Sequence, residues 1–146
     1  MSKRIGKWVV IILDDSGATA RTITNDVTAI NGLPLNYGKV EVGGFGQDMS
    51  YLLGRGDSEI TLTVHASPTA TTGAHTVIKG IVGGNTGRTL TIQIGANAAP
   101  TTGDPEFEGE VVCVSYNVTP DLNGAVMGEA VFAPASGNAL PAWGTV

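Results

Sequence analysis

The chain has 146 residues, enough for one domain with its own core. Hydrophobic residues make up 42% and charged residues 14%, where soluble domains carry about 25% charge. A surface so poor in charge suggests oligomerisation. The net charge is -5, and the eight basic residues touch in sequence only at Lys3-Arg4. That excludes a tight grip on a phosphate backbone, which needs clustered Lys and Arg to release counterions. The lone Cys113 excludes an intrachain disulfide and a multi-cysteine metal site.

Twenty-one glycines and seventeen threonines point to many strands joined by turns. At the N-terminus, Lys3, Arg4 and Lys7 precede the apolar run Trp8 to Leu13 and imitate a signal peptide. The run is short for a secretory core and stops at Asp14-Asp15, and no stretch approaches transmembrane length. The expectation is a soluble protein made in the cytoplasm, with strands at 7–13, 20–30 and 38–43.

Residues 43–57 are longer than a hairpin needs and carry Phe45, Met49, Tyr51, Leu52 and Leu53. Such a loop is expected to bury its apolar residues against a neighbour. Within it, Gly54-Arg55-Gly56-Asp57 reads as a turn, not as an integrin-type adhesive tripeptide. Gly43-Gly44-Phe45-Gly46 lacks the second glycine and lysine of a phosphate loop.

Period-two alternation marks the next strand. Over 58–65 the even positions are apolar, and Glu59, Thr61, Thr63 and His65 share the other face. A helix at about 73–83 follows, with Ala74, Val77, Ile78, Ile81 and Val82 on one stripe. Thr72 is expected to cap it, Gly83-Gly84 to end it, and His75 to face solvent. In the strand 88–94, Leu90, Ile92 and Ile94 point inward and Thr89, Thr91 and Gln93 outward. Two such strands imply a sheet with one solvated side. Pro100 to Pro105 reads as a turn, 106–118 and 124–133 as strands, and Leu140-Pro141-Ala142-Trp143 as an apolar segment outside any strand. No repeat or linker divides the chain, so one domain spans 1–146.

The chemistry is sparse. His65 and His75 are the only candidates for a neutral-pH base, and neither stands at a metal-ligand spacing. Cys113, within Val111-Val112-Cys113-Val114, reads as a small buried hydrophobe. Asp104, Glu106, Glu108 and Glu110 alternate along one strand face. They would suit a calcium ion, a solvated edge that repels strand pairing, or a negative stripe facing another molecule. A straight strand spaces such carboxylates about 7 Å apart, which disfavours a cation site. No nucleophile elbow, kinase or zinc signature occurs. The reading is a non-enzyme without metal or cofactor.

The order of the pieces carries a resemblance. It runs through Ile23-Thr24-Asn25-Asp26-Val27-Thr28, then Phe45-Gly46-Gln47-Asp48 and Tyr51-Leu52-Leu53-Gly54-Arg55-Gly56-Asp57, then Glu59-Ile60-Thr61-Leu62-Thr63-Val64 before the helix. Gly109-Glu110-Val111-Val112-Cys113-Val114-Ser115-Tyr116, Ala130-Val131-Phe132-Ala133 and Pro141-Ala142-Trp143 complete it. Over roughly 20–146 this resembles the major tail tube proteins of long, flexible-tailed bacteriophages. The resemblance implies a mainly β fold, a β-sandwich or partly closed barrel with one flanking helix. It further implies hexameric rings, with sheets joined between subunits, stacked into a virion tail tube that passes DNA and meets other tail proteins but no membrane. On this sequence the assembly elements would be the N-terminal arm, the loop 43–57 and the C-terminal arm 134–146. The candidate interface residues are Phe45, Met49, Tyr51, Leu52, Leu53 and Trp143, and the candidate lumen face is Glu59, Thr61, Thr63, His65, Thr89, Thr91 and Gln93, which carries no Lys or Arg. A capsid decoration protein is the runner-up. A carbohydrate-binding module is third, disfavoured because Trp8 and Trp143 lie near the ends.

Overall fold

The computed structural model describes Arg4 and residues 6–146; the start of the N-terminal arm lies outside the described residues. The elements in order are a 3-10 turn at Gly6–Trp8, β1 (Val9–Asp14), β2 (Ala20–Thr22), a 3-10 turn at Thr24–Asp26, β3 (Val27–Ile30), β4 (Asn36–Glu41) and β5 (Tyr51–Asp57). They continue with β6 (Ile60–His65), α1 (Ala74–Lys79), β7 (Arg88–Ile94), β8 (Pro105–Thr119), β9 (Met127–Pro134) and β10 (Ala142–Thr145). The chain is mainly β with one short helix, as its composition and alternation imply.

One sheet runs β2-β1-β7-β8-β9-β6-β3, with β10 joined to the front half of β8, and all its pairings are antiparallel. Strand direction therefore alternates along the path, so β1 and β3 run oppositely, as a barrel closing between them requires. The predicted strand 20–30 forms most of that closure. It is broken by the turn Thr24–Asp26, so β2 pairs with β1 while β3, travelling the same way, pairs with β6. At the break the Thr24 hydroxyl accepts the Ile11 amide at 2.9 Å, and the Ile23 amide donates to the Ile11 carbonyl at 3.0 Å. Beyond Thr24 the strands part. The sheet path itself stays open, with β2 and β3 at its two ends and only this short stretch of chain bridging them.

Alternation places the core on one face. Ile11 and Leu13 of β1, Ile60, Leu62 and Val64 of β6, Leu90 and Ile92 of β7 and Phe107, Val111 and Cys113 of β8 are buried together with Phe132. Each such side chain contributes about 1.5–3 kcal/mol on leaving water. Helix α1 adds Ala74, Val77 and Ile78 to the same cluster.

The helix differs from expectation at both ends. It stops at Lys79, with Ile81 still buried from the turn beyond it and Val82 exposed. Thr72 does not cap it. Gly73 occupies the N-cap, and the Ala74 amide donates instead to Asp26 Oδ2 at 3.0 Å, from the closure turn. His75 is half-buried, not solvated: its Nδ1 lies 2.9 Å from the Tyr116 hydroxyl. Packing against β8 draws it in.

Two further corrections concern the segments expected to be irregular. Half of 43–57 is strand, because β5 pairs with β4 as a separate two-stranded sheet, and Gly54 to Asp57 lie in that strand rather than a turn. The C-terminal apolar segment ends in β10, which pairs with β8 from Ala142 opposite Glu108 to Thr145 opposite Pro105. Neither strand is legible from alternation, since β5 contains two glycines and β10 has four residues.

Candidate functional site

Three surfaces carry the features singled out in the sequence. The first is the sheet face turned away from the core. Thr61, Thr63 and His65 of β6 and Thr89, Thr91 and Gln93 of β7 occupy its alternate positions, and Glu59 precedes β6 as an exposed residue in the same phase. The structure thus brings these seven residues to one face of one sheet.

That face holds a ladder that single strands do not reveal. Register sets Thr89 opposite Glu110, Thr91 opposite Glu108 and Gln93 opposite Glu106. The Thr89 hydroxyl donates to Glu110, the Thr91 hydroxyl to Glu108 at 3.0 Å, and the Gln93 amide to Glu106 at 2.8 Å. Each carboxylate is held by a neutral donor, so its negative charge is oriented without being cancelled. Thr91, between β1 and β8, is 7% exposed and is a ladder member more than a wetted side chain. Glu129 extends the negative face, standing opposite Thr63 and Asn117. Among the described residues no Lys or Arg takes an outward position between the paired strands of this face.

The acidic row is therefore not a repelling edge, because β8 is interior, with β7 on one side and β9 and β10 on the other. Asp104, the fourth acid, is diverted. It meets Arg4 at 2.8 Å, and the Thr101 amide, then Arg4, hold its carboxyl below the ordinary value. Among the described residues no three His, Cys, Asp or Glu side chains converge as a metal site. Cys113 is buried, and desolvation pushes its thiol up to about 11. A thiol so far from ionisation is a poor nucleophile.

The second surface is the arm formed by β4 and β5. Its two strands make their extensive contacts with each other, and Phe45 and Met49 stand exposed at the tip. Leu52 lies opposite Val40, and Leu53 opposite Lys39, so the two leucines face opposite sides of the ribbon. Tyr51 is covered by the Lys39 ammonium, 4.6 Å from its ring centre. Tyr37 and Val40 of β4, and Val42 just beyond it, are exposed too and escaped the sequence reading.

The third surface is the C-terminal segment. Trp143 stands opposite Phe107 and packs edge-on against it, with ring centres 5.1 Å apart, while remaining 47% exposed. It covers the core with one side of its ring. Leu140 lies against Gly56 at the root of the arm, and Pro141 against Gly109 of β8. No cluster resembling a catalytic constellation joins these surfaces among the described residues, and no helix there is long and apolar enough to cross a membrane.

No family model matches the chain, and no curated protein does. Among solved structures, it is similar to a chain from the tail of an empty gene transfer agent particle with C6 symmetry, at 20% identity and a TM-score of 0.64, covering 96% of this chain and 100% of the other. A chain of the sheath–tube complex of an extracellular contractile injection system matches with a TM-score of 0.71 at 14% identity, over 99% and 93% of the two chains. A chain from the tube-terminating cap of the anti-feeding prophage matches with a TM-score of 0.71 at 12% identity, over 100% and 93%. Nearly end-to-end agreement at such low identity establishes one thing: this chain has the fold of subunits found in phage-like tails and contractile injection assemblies.

Proposed function

We propose that this protein is the structural subunit of a phage-type tail tube, assembling as stacked hexameric rings around a channel that conducts viral DNA. The observation that carries it is the end-to-end likeness to a chain of a C6-symmetric tail, on a subunit whose arm leaves its apolar side chains uncovered. Apolar patches of this kind on a small protein favour contact with a partner, and an open sheet with free edges favours continuation into a neighbour. The solved relatives include contractile systems, so a long, flexible, sheathless tail is the narrower form of the proposal. Other tail proteins would meet the ends of the tube, and the virion tail is the site of action. The role is structural, without catalysis.

The lumen face in this reading is Glu59, Thr61, Thr63, His65, Thr89, Thr91 and Gln93, together with the glutamates that the ladder adds. A DNA conduit works by not holding phosphates, and fixed carboxylates without basic neighbours repel them. The interface residues are Phe45, Met49, Tyr51, Leu52 and Leu53, with Trp143 contributing its exposed edge.

Negative-stain microscopy of the purified protein, followed by helical reconstruction of any polymer, tests this. Hollow tubes or six-membered rings with the glutamates toward the channel are expected. Compact trimers, as a capsid decoration protein would form, or a monodisperse monomer would overturn it. Tubes with the ladder on the outer wall would remove the lumen assignment alone.

A further inference from the structure

The opening of the sheet leaves a groove of about 480 Å³ between β1 and β3. Val9, Ile11, Val27 and Ile30 form its apolar floor, and Asn25 and Lys7 stand on its rim. The floor is continuous with the core, since Val9, Val27 and Ile30 pack against the central cluster that contains Ile11. Among the described residues β3 has β6 on one side and no strand on the other, so there its second edge carries unpaired backbone groups toward the groove.

The arm presents the complementary deficit. Phe45 and Met49 at its tip are exposed and touch nothing that buries them. The tip, residues 42–50, has Asp48 as its one charge, whereas the groove residues include Lys7 and no acid. Apolar floor meets apolar tip, and the lone charges are of opposite sign. The tip does not reach the groove of its own chain. The ribbon extends roughly 20 Å beyond its root at the usual strand rise. Its root, where Asn36 pairs with Asp57, sits between β3 and β6 in the chain and is held by Leu140, and none of residues 36–57 lines the groove.

We propose that the arm tip of one copy seats in the β1–β3 groove of a second copy, with Phe45 and Met49 over Val9, Ile11, Val27 and Ile30. This rests on the self-assembly proposed above and names its donor and acceptor surfaces. The contact is heterologous, with tip and groove on different parts of the surface. Made one way, it propagates from copy to copy into a ring or a stack.

Cross-linking between singly substituted chains tests it. Phe45→Cys and Asn25→Cys are each placed in a Cys113→Ala background, mixed, assembled and treated with a short bismaleimide. A covalent dimer from the mixture, several-fold above either variant alone, is expected. A mixture of Phe45→Cys with Leu122→Cys, on the exposed loop before β9, should show no such gain. Phe45→Ser should raise the concentration needed for assembly roughly tenfold, as loss of one well-buried anchor does. Tubes that form normally without the Phe45–Asn25 link would overturn the docking while leaving the tube intact. The link in an assembly that is not a tube would support the docking and overturn the tube. A protein that stays monomeric overturns both, and a groove closed by residues 1–5 of its own chain, detected as an intrachain link from Ser2→Cys to Asn25→Cys, overturns the docking.

Discussion

Pro141 lies so close to Gly109 that a Cβ on that glycine would stand 2.5 Å from the proline Cα. The contact fastens the C-terminal segment to the middle of β8. One residue earlier, Leu140 lies where a Cβ on Gly56 would stand, beside Tyr37. A short stretch of chain thereby links the root of the arm to the strand that carries the carboxylate ladder.

Gly109→Ala should accordingly be costly. The obstructing atom belongs to the backbone of a proline and cannot rotate away, so a loss of about 1–3 kcal/mol is expected from overpacking. Chemical denaturation measures it. Gly144→Ala, with nothing near its Cβ position, is the control and should be close to neutral. Equal stabilities for the two variants would remove the contact from the account.

The two leucines of the arm should separate. Leu52 shares a face with Val40, whereas Leu53 shares one with Lys39 and its covered Tyr51. Leu52→Ser should impair assembly more than Leu53→Ser, by up to about 1.5–3 kcal/mol per buried side chain. Thermal unfolding of the unassembled domain should hardly change, because both residues are exposed in it. Sedimentation across a concentration series reads the assembly. Assembly at wild-type concentration by the double variant would place the interface elsewhere.

Asp26→Ala should cost about 0.5–2 kcal/mol, the range for a lost helix cap. Its carboxylate accepts the first amide of α1 from a turn far away in sequence. Unfolding in urea with an unchanged slope would show loss of stability with compactness retained. No change in midpoint would mean that water replaces the cap.

Acid should weaken the junction of Arg4 and Asp104. The Asp104 carboxyl is held below its ordinary value of 3.8, first by the Thr101 amide and then by Arg4. A carboxyl depressed in the folded state stabilises fully above its unfolded value, and that contribution is lost as pH falls through the lower folded value. Melting temperature measured downward from pH 6 should fall more steeply below about pH 4 in the wild type than in Asp104→Asn. Parallel curves would refute the assignment. Both side chains of the pair keep part of their surface in water, so the effect should shrink with added salt.

Sequence periodicity sufficed where a segment has one dry side. The alternation of 58–65 and 88–94 became β6 and β7 with the faces as read, because burial against a core imposes period two on any strand with one wet face. Residue type likewise pointed to apolar side chains left uncovered: Phe45, Met49, Leu52 and Leu53, read on a loop, are exposed. These features follow from residue type and spacing alone. What only the tertiary structure decided depends on partners distant in the chain. Asp26 caps the helix in place of Thr72, the Thr24 hydroxyl ties the turn after β2 to Ile11 of β1, and His75 turns inward to Tyr116. Register did the same for the acidic row: Glu106, Glu108 and Glu110 form a donor-held ladder because β7 sets Gln93, Thr91 and Thr89 against them. Hydrogen bonds between strands are fixed by pairing, and pairing is a property of the folded sheet that no local pattern contains.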